Sequence, residues 1–166
     1  MEIASLVISF ISLALSTLVA IVVARNQWRE KRRDTCLKLW ELWTSYEVKQ
    51  SRSRAYQYLQ LQAKESTNIN LVALRRDQPN LSEDFSVVFH FFKDLNIMVH
   101  RGEVDRSLAK QLFMNEVDEW FRFLLNPKIT KITKIIWEDE HENWVPKFVI
   151  PLQQELKDCP DKPSWF

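Results

Sequence analysis

The sequence predicts an all-α protein: a single N-terminal transmembrane helix followed by a compact cytoplasmic helical bundle. Three observations carry this prediction. From Ile3 to Ala24 there is no charge, proline or glycine, and at about 1.5 Å per residue such a helix spans roughly 33 Å, enough for a bilayer core. Apolar residues in the rest of the chain recur at helical spacing. The chain has one glycine, Gly102, where average usage is about 7%. Phosphate-cradling loops, nucleophile elbows and dinucleotide-binding turns need glycine at fixed places, and tight hairpins need it at their turns, so these classes are excluded.

The first element, residues 1–24, reads as an uncleaved anchor. A secretory signal carries positive charge before its apolar run, whereas here Glu2 precedes the run and Arg25, Arg29, Lys31, Arg32 and Arg33 follow it. The ending Val22-Val23-Ala24 has the small-residue character of a cleavage site, but the apolar run is too long and its flanking charges are reversed. The basic cluster favours the cytoplasmic side, which leaves the short N-terminus outside. Trp28 suits the interface, and the cations attract anionic lipid head groups at about 1 kcal/mol each.

Within the anchor, Ser5, Ser9, Ser12, Ser16 and Ala20 recur at spacings of four, three, four and four, which gathers small residues on one face. Small faces let membrane helices approach closely, and serines can hydrogen-bond across the contact. The alternative is that each hydroxyl bonds to its own backbone. Four in register point to a lateral partner, either a second copy or another membrane protein. An assembly of several copies could also turn the serines toward a narrow wet path.

Residues 25–66 read as the juxtamembrane and first cytoplasmic helices. No proline or glycine occurs before Gln78, so the anchor helix can continue inward, with Cys36, Leu39, Trp40, Leu42, Trp43 and Tyr46 as an apolar stripe. Ala55, Tyr56, Leu59 and Ala63 share a face further on. Arg52, Arg54, Arg75 and Arg76 read mainly as solvated charges, with an acidic partner or lipid as the alternative. Residues 67–80 read as a connection that includes a turn of helix.

Residues 81–158 complete the bundle. Asn80 and Glu83 have capping-box spacing, Phe85, Val88, Phe89, Phe92, Leu95 and Val99 line the following helix, and Gly102 suits a left-handed C-terminal cap. Asp105 is a good N-cap for SLAKQLFMNEVDEWFRFLL, which ends at Asn126-Pro127. Pro127 then opens KITKITKIIWEDEHENW, read as helix rather than strand, and Pro146 starts a last helix that Pro151 disturbs. Residues 159–166 form a tail whose PSWF end reads as frayed or locally packed.

Chemistry is scarce. His90 reads as a hydrogen-bonded core or boundary residue, and His100 as a cation at a helix C-terminus. His141 lies in the acidic run Glu138–Glu142, which reads as solvated rather than metal-binding. Ser82, Ser107, Cys36 and Cys159 lack a recognisable base, and Glu116, Asp118 and Glu119 read as wet-face charge. No catalytic residue, cofactor, metal or small-molecule substrate is implied. A net charge of +1 argues against a nucleic-acid partner. In a cytoplasmic domain the two cysteines are expected to be free thiols.

The block FFKDLNIMVHRGEVDRSLAKQLFMNEVDEWFRFLLNPKI, with ENWVPKF downstream, resembles an uncharacterised bacterial family called domain of unknown function 4760. The likeness covers roughly Ser82 to Leu156 and rests on Arg101, Gly102, Asp105 and Trp120. It implies a membrane-tethered helical domain, and the family supplies no activity. Together these readings imply a protein of the bacterial inner membrane that works as an interaction, scaffold or accessory-subunit module. An oligomeric pore-forming or membrane-disrupting effector is the second reading and a membrane-anchored hydrolase the third.

Overall fold

The computed structural model describes residues 2–65, 71–125 and 145–159, and among these every regular element is helical. In chain order they are α1 (Glu2–Thr44), α2 (Tyr46–Glu65), α3 (Leu71–Asp77), α4 (Pro79–Arg101), α5 (Arg106–Leu125), a π-helical turn (Val145–Val149) and α6 (Ile150–Lys157). The expected helix over KITKITKII, the acidic run with His141, and the PSWF end lie outside the described residues.

α1 does not stop where its apolar run stops. It continues unbroken from the apolar residues to Thr44, so residue 24 marks a change of composition and not of structure. The break comes at Ser45, which ends one helix and caps the next. Its N–H donates to Leu42 O at 3.2 Å, its carbonyl accepts from Lys49 N at 2.9 Å, and its Oγ accepts from Val48 N.

Beyond the break, α2 carries on along the same line of partners. α4 runs antiparallel to both: Trp43 stacks on Phe91 with ring centroids 4.4 Å apart, Arg54 reaches Asp84, and Tyr58 meets Phe85. α5 runs in the direction of α1 and α2, pairing Phe113 with Trp40 and Trp120 with Tyr56. α6 returns along α5, with Gln153 donating to Asp118 and Lys110 donating to Cys159 O at 2.7 Å. α3 packs on α4.

The core lies between these helices. All six residues expected on the buried face of α4 are buried, joined by Ala55 and Leu59 of α2, Ala109, Phe113, Val117 and Trp120 of α5, and Leu152 and Leu156 of α6. Each fully buried large apolar side chain contributes about 1.5–3 kcal/mol of transfer free energy. The α1 stripe is narrower than expected. Cys36 and Trp43 are buried and Leu39 and Trp40 half-buried, whereas Leu42 is 52% exposed because α4 and α5 cover one side of α1 only, and Tyr46, 75% exposed, falls beyond the break as the first residue of α2.

The ends of α4 divide in the same way. The capping box at Asn80 and Glu83 does not form. The N-cap is Gln78 and Pro79 occupies the first turn, because its fixed φ is already helical and its missing N–H is not needed there. At the other end the expectation holds. Gly102 has φ +68°, its N–H donates to Val99 O at 3.1 Å, and Glu103 N donates to Met98 O at 2.9 Å. Gly102→Ala is expected to lower stability by about 1 kcal/mol, through the cost of a Cβ in the left-handed region, as read by a lower thermal midpoint.

Asp105 caps α5 as its position suggests, its carboxylate accepting from Leu108 N at 2.9 Å. The last helix is reshaped by its prolines. The turn over Val145–Val149 is wound as π-helix and runs directly into α6, whose first turn holds Pro151.

Candidate functional site

The candidate site is α1 itself, from its apolar part to the joint with the other helices. Its N-terminal half is apolar around its circumference, and no other described element covers it: Phe10 is 75% exposed, and Leu13, Leu18, Ile21 and Trp28 are all open. α1 is long and apolar enough to cross a membrane. A contiguous bare apolar surface of this extent is far beyond the scattered exposed residues of an ordinary soluble surface.

Ser5 lies on α1, and Ser9, Ser12, Ser16 and Ala20 are all exposed on it. Their arc can be carried forward along the helix. Gln27, Asp34 and Glu41 stand about three, five and seven turns beyond Ser16, with Glu30 close to the same line. Trp43 stands about 7.5 turns beyond Ser16, and Cys36 about 5.6. The serine arc therefore points to the side of α1 opposite the one that meets α4 and α5.

The joint is formed at Arg32. Its guanidinium donates to Val104 O, from Nη2 at 3.3 Å and from Nε at 3.4 Å, and its own carbonyl accepts from Asp105 N at 3.4 Å. The turn between α4 and α5 is thereby seated on α1. Arg32 was expected among the lipid-facing cations and is instead half-buried on protein, while Arg25, Arg29, Lys31 and Arg33 are exposed, as is Trp28.

One turn further, Cys36 is buried against this joint. Burial, and after it the Asp105 carboxylate, push its thiol up to about 12. Neither cysteine is in a disulfide, and Cys159 is half-exposed. At pH 8 we expect Cys159 to react with a thiol reagent and Cys36 to react only on unfolding, because the thiolate is the nucleophile. Equal labelling of both in the native protein would contradict this burial.

The remaining polar groups are tied to one another. Arg54 binds Asp84 through two bonds of 2.6 Å, and the Asp84 side chain is only 3% exposed. Arg52 pairs with Glu116 at 2.8 Å, and its guanidinium lies 4.2 Å from the Trp43 ring centroid. Arg76 pairs with its neighbour Asp77 at 2.8 Å. Arg52 is thus an internal tie rather than a solvated charge, Arg54 stays exposed while it holds the buried Asp84 carboxylate, and Glu116 and Asp118 are half-buried rather than on a wet face. These pairs join residues 30 and 64 positions apart, a relation that no local pattern reveals.

The histidines also differ from expectation. His90 is exposed rather than at the core boundary, with Nδ1 2.8 Å from Ser86 O. His100 does sit at the α4 C-terminus, where Nδ1 lies 3.0 Å from Glu155 Oε1; the other carboxylate oxygen is 3.6 Å from Arg106. A guanidinium, not a hydroxyl or thiol, is the third member of that group, and the His100 side chain is 78% exposed. Among the described residues no group of three or more His, Cys, Asp or Glu side chains could hold a metal ion.

No family model, curated protein or solved structure matches this chain.

Proposed function

We propose that this chain is a single-pass membrane protein whose α1 anchor is rigidly continuous with a compact cytoplasmic helical bundle, and that it acts as an interaction or accessory-subunit module. One observation carries the reading: the bare apolar part of α1 runs without a break into the face, Cys36 to Trp43, that is buried against α4 and α5. A helix built in this way transmits the position of the anchor to the bundle. The basic residues that follow Ala24 support a cytoplasmic bundle and an outer N-terminus. The proposal extends to the resemblance to domain of unknown function 4760 and, with it, to a tethered helical domain in a bacterial inner membrane.

The anchor binds its partner through Ser9, Ser12, Ser16 and Ala20, which turn away from the bundle and leave room for another helix. Past the membrane this side carries Glu30, Asp34 and Glu41 against Lys31 and Lys38, the latter paired to Asp34 at 2.7 Å, so carboxylates are in excess. Two parallel copies in register would set these carboxylates against one another. A contact that continues beyond Gln27 therefore favours a different membrane protein with basic residues at that height.

The test is the mass of the complex extracted in mild detergent, for the native chain and for the combined Ser9→Leu, Ser12→Leu and Ser16→Leu variant. An assembly that contains a second protein and falls apart in the variant is the expected result. A monomer in both cases would sink the serine-face contact. The pore reading draws on the same hydroxyl arc and requires ion leakage from vesicles that disappears in the triple variant.

A further inference from the structure

We propose that the corner between the exposed stem of α1, residues 25–31, and the α4–α5 turn binds the head groups of anionic phospholipids, held by Arg25 and Arg29 on the stem and by Arg101 on α4. This rests on the reading that the apolar part of α1 lies in a bilayer. Charge is unevenly spread around the stem. Arg25 stands about 2.5 turns beyond Ser16, on the side that faces the bundle, with Arg29 nearby and Arg33 at its edge. The opposite side carries Gln27, Glu30, Lys31 and Asp34.

The bundle adds its own cation to the basic side. Arg32 holds the α4–α5 turn on α1, and a Cβ placed on Gly102 would lie 3.7 Å from its Nη2, so Arg101, the residue before, ends α4 beside the stem. Arg101 is exposed, and its pairing with Glu103 is loose at 3.8 Å. The Asp105 carboxylate is taken up in capping α5, and the Arg32 guanidinium is taken up by Val104 O. His100 and Arg106 share Glu155. The negative end of α4 and the positive start of α5 lie together and largely cancel. What remains among the described residues is an excess of guanidinium groups over carboxylates on the face turned toward the anchor.

The height suits the ligand. Arg32 is eight residues past Ala24, or about 12 Å along the helix. The head-group layer occupies roughly 6 Å of this, which leaves the floor of the bundle within about one Debye length of the phosphates at physiological ionic strength. An unpaired stem would draw lipids around its whole circumference. The corner instead collects them on the bundle side and holds the bundle down on the surface.

The experiment uses the full chain reconstituted in phosphatidylcholine vesicles with and without phosphatidylglycerol, followed by mass measurement of the lipids retained on extraction. The wild type is expected to retain phosphatidylglycerol preferentially. Arg101→Gln should reduce that retention about fivefold, and Arg101→Glu further, whereas Lys31→Gln, at similar height on the other side, should reduce it distinctly less than Arg101→Gln. Circular dichroism confirms that each variant is folded, and resistance to alkaline extraction reports insertion separately. Equal losses for Arg101 and Lys31 would overturn the corner as a site and leave general charge attraction. An inserted wild type with no preference for phosphatidylglycerol would overturn it while leaving the anchor intact. A wild type released by alkali would overturn both this inference and the membrane reading on which it rests.

Discussion

Trp43→Ala is expected to cost about 3–5 kcal/mol, the range for removing a fully buried large aromatic side chain. Trp43 has no exposed surface, stacks on Phe91, leans on Phe92 at 5.3 Å and lies beneath the Arg52 guanidinium. It is also the last large anchor of α1 before the break at Ser45, so its loss removes packing where α1 holds α4. Against a typical total of about 5–15 kcal/mol, this leaves a marginal bundle. The check is denaturant unfolding of the full chain in detergent followed by circular dichroism. Trp43→Phe retains an aromatic surface for Phe91 and Arg52 and should cost much less. Leu42→Ala, one residue earlier on the exposed side, should change stability by no more than about 0.5 kcal/mol. A Leu42 variant as damaging as the Trp43 variant would mean that the other side of α1 is also covered.

That contrast shows where the sequence was legible and where it was not. Periodicity identified both the α4 face and the α1 stripe, since each depends on residues within a few turns of one another. It could not tell how wide a stripe the neighbours would cover. The buried arc of α4 lies among several helices, while α1 beyond Arg32 meets only part of the bundle, so Leu42 is left in the open, and the break at Ser45 puts Tyr46 on the next helix. Gly102 and Asp105 were readable because their roles are set by the local backbone. The Asn80 and Glu83 spacing misled for a local reason too, since Pro79 starts the helix earlier. Arg54 with Asp84 and Arg52 with Glu116 had no sequence signal, because the partners meet only after α2, α4 and α5 have packed. The basic run after Ala24 was visible as a charge cluster. Its division between the joint at Arg32 and the exposed cations around it required the position of the α4–α5 turn.

The continuity of α1 leads to the second large expectation. If the partner touches both the serine arc and the bundle, the two surfaces must keep a fixed angle around one helix. Inserting two alanines between Arg25 and Asn26 turns the serine arc by about 200° relative to the bundle and lengthens the stem by about 3 Å. Inserting four turns it by only about 40°, although the stem grows by about 6 Å. The two-residue insertion is expected to weaken association tenfold or more, equivalent to about 1.4 kcal/mol, and the four-residue insertion to retain most of it. Length alone would rank the variants the other way, so the order of their effects separates angle from height. The measurement is the fraction of chain found in the larger complex as the partner is diluted in detergent. Equal association in both variants would show that the anchor binds independently of the bundle. The unbroken helix from Ser9 to Trp43 would then serve to place the bundle at the membrane and not to set its direction.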